Sequence, residues 1–103
     1  MVKAKVLVLE KLDITEKYRI EIKVLDVAGN RKYKDGIKVS FILIDKIKQL
    51  PRLLLDNHEP IGFHIHEELQ FNKKTRRKVP VNDYHDALKL FRILVKEIIS
   101  NEN

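Results

Sequence analysis

The sequence contains no cysteine and no tryptophan, and only three glycines and three prolines among its 103 residues. The absence of cysteine excludes disulfides, thiolate nucleophiles and cysteine-ligated metal sites. A chain with 44% hydrophobic and 35% charged residues and so few glycines and prolines is typical of a folded protein, not of a disordered one. The abundance of Lys, Glu and Ile is in keeping with a thermophilic origin. We therefore expect one domain over residues 1–103.

Several patterns with known chemistry are also missing. There is no glycine-rich phosphate loop, no Gly-x-Ser-x-Gly and no zinc-finger spacing, which argues against nucleotide hydrolysis and sequence-specific DNA reading. No apolar run approaches the roughly 18 residues that span a bilayer. The first lysines alternate with apolar residues instead of preceding an apolar run, which is not the pattern of a signal peptide. We therefore expect a cytoplasmic protein with no membrane partner.

Positive charge is in excess and partly concentrated. The formal net charge is +6 and the pI is about 9.6, which favours an anionic partner such as RNA, DNA or an acidic protein. The segment 72–78 holds five basic residues and no apolar residue, so it is predicted to be a solvated loop or a strand tip. Arg76 and Arg77 suit bidentate phosphate binding, whereas lysines act as point charges. The candidate nucleic-acid-binding residues are Lys73, Lys74, Arg76, Arg77 and Lys78.

Alternation of apolar and polar residues predicts a β-rich fold. It predicts strands over 2–9, 18–27, 37–45, 50–55 and 63–71, with a charged connection over 10–17. After Asn82 or Asp83, a predicted N-cap, the apolar period becomes helical as far as about Ser100. The sequence therefore predicts an α+β fold: an antiparallel five- to six-stranded meander with one C-terminal helix packed on a face. The residues expected to face the sheet are Tyr84, Leu88, Phe91 and Ile98.

Three of the four histidines lie close together in the sequence. In the predicted strand 63–71, Phe63 and Ile65 share one parity while His64 and His66 share the other with Glu68. The first set predicts the buried face and the second a solvent-exposed one, on which replacing a histidine is expected to cost little stability. The loop before this strand carries His58 and Asp56 and can bring both toward the histidine pair.

Two chemistries fit this group, and a third interpretation is that the strand only happens to expose histidines. In the first, His64 and His66 act as base and acid in RNA cleavage, with His58 or Glu68 orienting them and no cofactor required. Asp56 is a further candidate catalytic residue. In the second, a divalent metal is held by His64, His66 and Glu68. The basic segment that follows favours the first chemistry, because a ribonuclease needs cations to hold phosphate.

The segments Leu55-Asp56-Asn57-His58-Glu59-Pro60 and Gly62-Phe63-His64-Ile65-His66 resemble the TumE family of toxins from toxin–antitoxin pairs. That family is similar in its two antiparallel hairpins, its histidine-rich loop and strand, and its C-terminal helix. The resemblance implies a toxin that acts on RNA or on translation, with a DNA-binding antitoxin as its partner.

The leading hypothesis is therefore an RNA-directed toxin, either a histidine-dependent endoribonuclease or a translation inhibitor. Its expected partners are RNA and a cognate antitoxin, with a homodimer as a further possibility. The alternatives are a non-catalytic metal-binding accessory domain and a basic protein-interaction module.

Overall fold

Six antiparallel strands and a C-terminal helix make up the described part of the chain. A computed structural model describes residues 4–29, 33, 36–58, 61–67 and 76–102. Each strand pairs with the next one in sequence, so the strand order in the sheet is the chain order. The predicted α+β fold, a meander with one C-terminal helix, is confirmed. The elements are β1 (Lys5–Asp13), β2 (Tyr18–Asp26), β3 (Ile37–Asp45), β4 (Leu50–Asp56), β5 (His64–Glu67), β6 (Arg76–Lys78) and α1 (Tyr84–Asn101).

Two predicted boundaries differ from the structure. Strand β1 continues to Asp13, through residues predicted as a charged connection, because Glu10, Lys11 and Leu12 keep pairing with β2. The charges of Glu10 and Lys11 are tolerated because β1 lies at the edge of the sheet, where side chains reach water on both faces. The end of the basic segment forms β6 and pairs with β5. The predicted strand residues 68–71 lie outside the described residues.

The core lies between the sheet and α1. Register pairs join Ile22, Phe41, Leu55 and Ile65 across four strands, and all four side chains are fully buried. We call this side of the sheet the helix face, because the ring of Phe41 lies 5.6 Å from that of Phe91 on α1. The opposite side is the open face. No helix in the described part of the chain has the length and apolarity to span a membrane.

Helix α1 is amphipathic and begins at a conventional cap. The side chain of Asp83 accepts a hydrogen bond from the backbone N–H of Asp86 at 2.9 Å, which satisfies one of the free donors of the first turn. Three residues of the apolar stripe are buried against the sheet: Ala87, Phe91 and Val95. The predicted positions Tyr84, Leu88 and Ile98 are partly buried and pack against the same core, as expected.

A polar cluster anchors the C-terminal end of α1 to the sheet. The Tyr18 hydroxyl and Lys17 Nζ both donate hydrogen bonds to Glu102 Oε2, the second at 3.1 Å. Arg52 Nε lies 3.6 Å from the other carboxylate oxygen. Lys17 also lies 3.9 Å from Asp45, a buried carboxylate that accepts backbone hydrogen bonds from the following turn. The helix end is therefore held by charge and hydrogen bonding at a point where its apolar stripe has ended.

Glu102 is expected to make stability depend on pH. The Tyr18 hydrogen bond, followed by that of Lys17, holds the pKa of the Glu102 carboxyl below its usual value. The stabilisation is therefore complete above the ordinary glutamate pKa, about 4.3, and is lost as the pH falls through the lower pKa of the folded state. Urea unfolding of wild type and Glu102→Gln should differ near pH 7, and the difference should shrink as the pH falls below about 4.3. A matched Glu97→Gln variant, changed on the exposed face of α1, should parallel wild type; a constant difference for Glu102→Gln would contradict this role.

Candidate functional site

Strand β5 carries the candidate histidines on the open face. In the β4–β5–β6 register, His64 lies opposite Asp56 on one side and Lys78 on the other. His66 lies opposite Leu54 and Arg76 in the same way. Ile65, between the two histidines, is fully buried on the helix face. Within the described strand, the prediction that Ile65 and the two histidines lie on opposite faces is therefore confirmed.

His64 is not exposed, and the prediction that both histidines lie in water is wrong for this residue. Its side chain is on the open face, but the residue is only 2% exposed. The ring contacts that of His66 edge to face, with centroids 4.9 Å apart. Its Nδ1 lies 2.7 Å from the carbonyl oxygen of Gly62, in the loop before β5. The loop and the neighbouring ring thus shield His64, whereas His66 is half-buried.

The Gly62 contact fixes how the neutral His64 ring carries its proton. A carbonyl oxygen only accepts, so Nδ1 is the donor in this hydrogen bond. The lone pair of the neutral ring is then on Nε2, the nitrogen that is left to accept a proton from a substrate or to bind a metal. His64 therefore has the tautomer and the fixed orientation that a general base requires.

The loop between β4 and β5 is built as a chain of hydrogen bonds that ends at His64. The Asp56 carboxylate accepts from the His58 backbone N–H at 3.0 Å. The His58 carbonyl accepts a hydrogen bond from the Gly62 N–H at 3.1 Å, and the Gly62 carbonyl in turn accepts one from the Nδ1–H of His64. Gly62 has a φ of 75°, a left-handed backbone conformation that residues other than glycine rarely adopt. The orientation of His64 therefore depends on this loop.

Asn57 has a structural part in the same loop. Its amide oxygen accepts from the Val39 N–H at 2.9 Å, and its amide nitrogen donates to the Ile37 carbonyl at 2.6 Å. The side chain is buried and extends the pairing of β3 and β4 beyond the last residue of β4. Asn57 thus holds the start of the loop in place.

His58 is exposed and its ring does not reach into the core. It lies edge to face with Tyr33, with ring centroids 5.6 Å apart. Burial, followed by the charge of Asp56, raises the pKa of the Tyr33 hydroxyl. Tyr33 comes from the connection between β2 and β3, and no sequence pattern placed it near the candidate site. His58 is linked to His64 through its backbone.

The basic residues of β6 divide between the two faces. Lys78 pairs with His64 and is exposed on the open face, whereas Arg77 pairs with Ile65 and belongs to the helix face. The Arg77 guanidinium lies 3.0 Å from the Glu67 carboxylate, which neutralises part of its charge. Of the two arginines predicted to hold phosphate, only Arg76 pairs with a histidine across the strands, at the position opposite His66. The predicted cations Lys73 and Lys74 lie outside the described residues.

The predicted metal site is only partly described. Within residues 4–29, 33, 36–58, 61–67 and 76–102, no group of three or more His, Asp and Glu side chains is placed to hold a metal ion. Glu68, the predicted third ligand, lies outside these ranges. The ligand set of His64, His66 and Glu68 stays a prediction.

Comparison with protein-family models, with curated proteins and with solved structures found no match.

His64 is expected to contribute to stability as well as to the site. His64→Ala removes a buried ring and leaves the Gly62 carbonyl without its donor, which should lower the free energy of unfolding by about 1–3 kcal/mol. The matched control is His85→Ala, at an exposed position in the first turn of α1, where the change should stay within about 0.5 kcal/mol. Urea denaturation measures both, and equal small losses would contradict the burial of His64.

Proposed function

We propose that the protein acts on RNA, as the toxin of a toxin–antitoxin pair, and cleaves it by general acid–base catalysis, in which His64 takes a proton from the substrate and His66 gives one to the leaving oxygen. The observation that carries the proposal is the pair of imidazole rings in contact on one face of β5, with the Lys78 ammonium from β6 on that same face. The net charge of +6 adds long-range attraction for a polyanion. The assignment as a toxin depends on the resemblance to the TumE family.

Within this proposal, His64 is the base. Its Nε2 takes the proton of a ribose 2′-hydroxyl, and the resulting oxygen attacks the adjacent phosphorus. The bond from phosphorus to the 5′-oxygen breaks, and that oxygen takes a proton from His66, the more accessible ring, which enters the step as imidazolium and leaves it neutral. The products are a 2′,3′-cyclic phosphate and a free 5′-hydroxyl. Every proton that moves comes from the substrate or from one of the two rings, so the step needs no cofactor.

Neighbouring groups support the two rings. Asp56 is the cross-strand partner of His64, a relation that places the two Cβ atoms about 4.5–5.5 Å apart. It also orients His64 through the loop of His58 and Gly62. Lys78 is the described cation best placed for the scissile phosphate, with Arg76 beside it in register. Glu68, Lys73 and Lys74 remain candidates for the same surface.

The first test is cleavage of total RNA by the pure protein. His66→Ala should lower the cleavage rate by about 10²- to 10⁴-fold, the usual contribution of a general acid or base. His85→Ala is the matched control and should cleave at the wild-type rate. The wild-type rate should have a bell-shaped pH profile and should be unaffected by a chelator.

Other outcomes of this test favour the alternatives. Cleavage that a chelator abolishes favours the metal-dependent interpretation with His64, His66 and Glu68 as ligands. Binding of RNA with no cleavage favours a translation inhibitor or a basic interaction module. Cleavage by His66→Ala at the wild-type rate would contradict the proposed mechanism.

A second test uses the division of β6 between the two faces. Lys78→Ala and Arg77→Ala remove one positive charge each from adjacent positions of one strand. If RNA lies across the histidines, Lys78→Ala should weaken binding. It should also reduce the slope of log affinity against log salt concentration by about the contribution of one phosphate contact. Arg77→Ala is the matched control and should change the slope much less. Equal effects in a salt titration of RNA binding would place the RNA elsewhere or show that the contact is not specific.

A further inference from the structure

The two edges of the sheet differ sharply. Strand β6 has only three residues, all basic, and a short charged edge resists pairing with another strand. Strand β1 has nine residues and exposes large apolar side chains on both faces. The exposed apolar residues of β1 are Val6, Leu7, Leu9 and Leu12, which are 42–58% exposed.

Strand β1 pairs with β2 along one side only, and its other side faces no strand of the described chain. A bulge lies between Val6 and Val8, but from Val8 to Asp13 the pairing with β2 is regular. An edge of this length offers a row of backbone donors and acceptors to an added strand, and its apolar side chains would gain burial from it. From this edge we infer that β1 pairs antiparallel with β1 of a second copy of the chain, which joins two six-stranded sheets into one.

Symmetry and charge select the register of this pairing. In a symmetric antiparallel pair the two-fold axis is perpendicular to the sheet, so one residue lies opposite its own copy. An axis at Glu10 or at Lys11 places two like charges opposite each other, which is unfavourable. An axis at Val8 places the bulge directly beside the centre. An axis at Leu9 places the two Leu9 side chains opposite each other on the open face.

The side chains around a two-fold axis at Leu9 are complementary. Leu9 and Val6 of both copies form one apolar cluster on the open face, where they are 58% and 55% exposed in the single chain. On the helix face, Val8 lies opposite Glu10 of the second copy. Because the bulge adds one residue to β1, Lys5 then lies diagonally across the strand pair from Glu10 of the second copy. The lysine side chain is long enough to reach that glutamate. Two such Lys–Glu pairs occur, one on each side of the axis.

The absence of native cysteine allows an unambiguous test of this pairing. Residues directly opposite in an antiparallel pair have Cβ atoms about 4.5–5.5 Å apart, close to the roughly 3.5–4.5 Å of a disulfide. Leu9→Cys should therefore form a covalent dimer under mild oxidation. Ile93→Cys is the matched control, because Ile93 on α1 is 55% exposed, nearly the same as Leu9. Cross-linking of Leu9→Cys should be at least about tenfold faster, since pairing raises the effective thiol concentration.

The oligomeric state of variants without cysteine completes the test. In sedimentation equilibrium the wild type should be a dimer at about 0.1 mM, where a Kd of about 1 μM leaves most chains paired. Leu9→Lys should be folded by circular dichroism and monomeric by sedimentation equilibrium, and Ile93→Lys should remain a dimer. A monomeric wild type, a dimeric Leu9→Lys or equal cross-linking rates for the two cysteine variants would each overturn the inference. None of these outcomes depends on whether the protein cleaves RNA.

Discussion

The burial of Ile65 is the constraint on which the candidate site depends. A strand alternates its side chains between two faces, so placing Ile65 in the core opposite Leu55 leaves His64 and His66 only the open face. The same register gives each histidine its partners, Asp56 and Lys78 for His64 and Leu54 and Arg76 for His66. A slip of β5 by one residue would move both histidines into the helix face and expose Ile65. The hydrophobic core thus sets the chemistry of the opposite surface.

Burial and exposure divide the site into parts with different physical roles. His64 is enclosed, and its proton is fixed by Gly62, whose carbonyl is positioned by a loop with a left-handed glycine. His66 is half-buried and Lys78 is exposed, so these two residues can meet a substrate. In the proposed mechanism the enclosed His64 is the base and the more accessible His66 is the acid, which would limit how an RNA strand can lie on the sheet.

Much of the fold follows from local patterns, and less of the site does. Two strands and the helix were predicted well, from the alternation over 18–27 and 37–45 and from the helical period after Asp83. Each of these segments has one buried face and a regular period. The burial of His64 was not predictable, since it depends on the path of the loop and on a ring contact. The division of Lys78 from Arg77 needs the register of β6 against β5, which a run of basic residues does not contain. Contacts between segments distant in sequence, such as Tyr33 with His58 or Glu102 with Tyr18, left no local signal either.

Imidazole NMR of the intact protein is the most direct test of whether RNA binds to the histidine face. With histidine labelled with ¹⁵N, a short RNA carrying a 2′-deoxy substitution at the cleavage position can bind without reacting. We expect His64 to have a protonated Nδ1 in the neutral ring before RNA is added, and the Nε2 signals of His64 and His66 to shift on binding. His85 on α1 should not change. A shift confined to His85, or unchanged His64 and His66 signals at saturating RNA, would contradict RNA binding at these histidines.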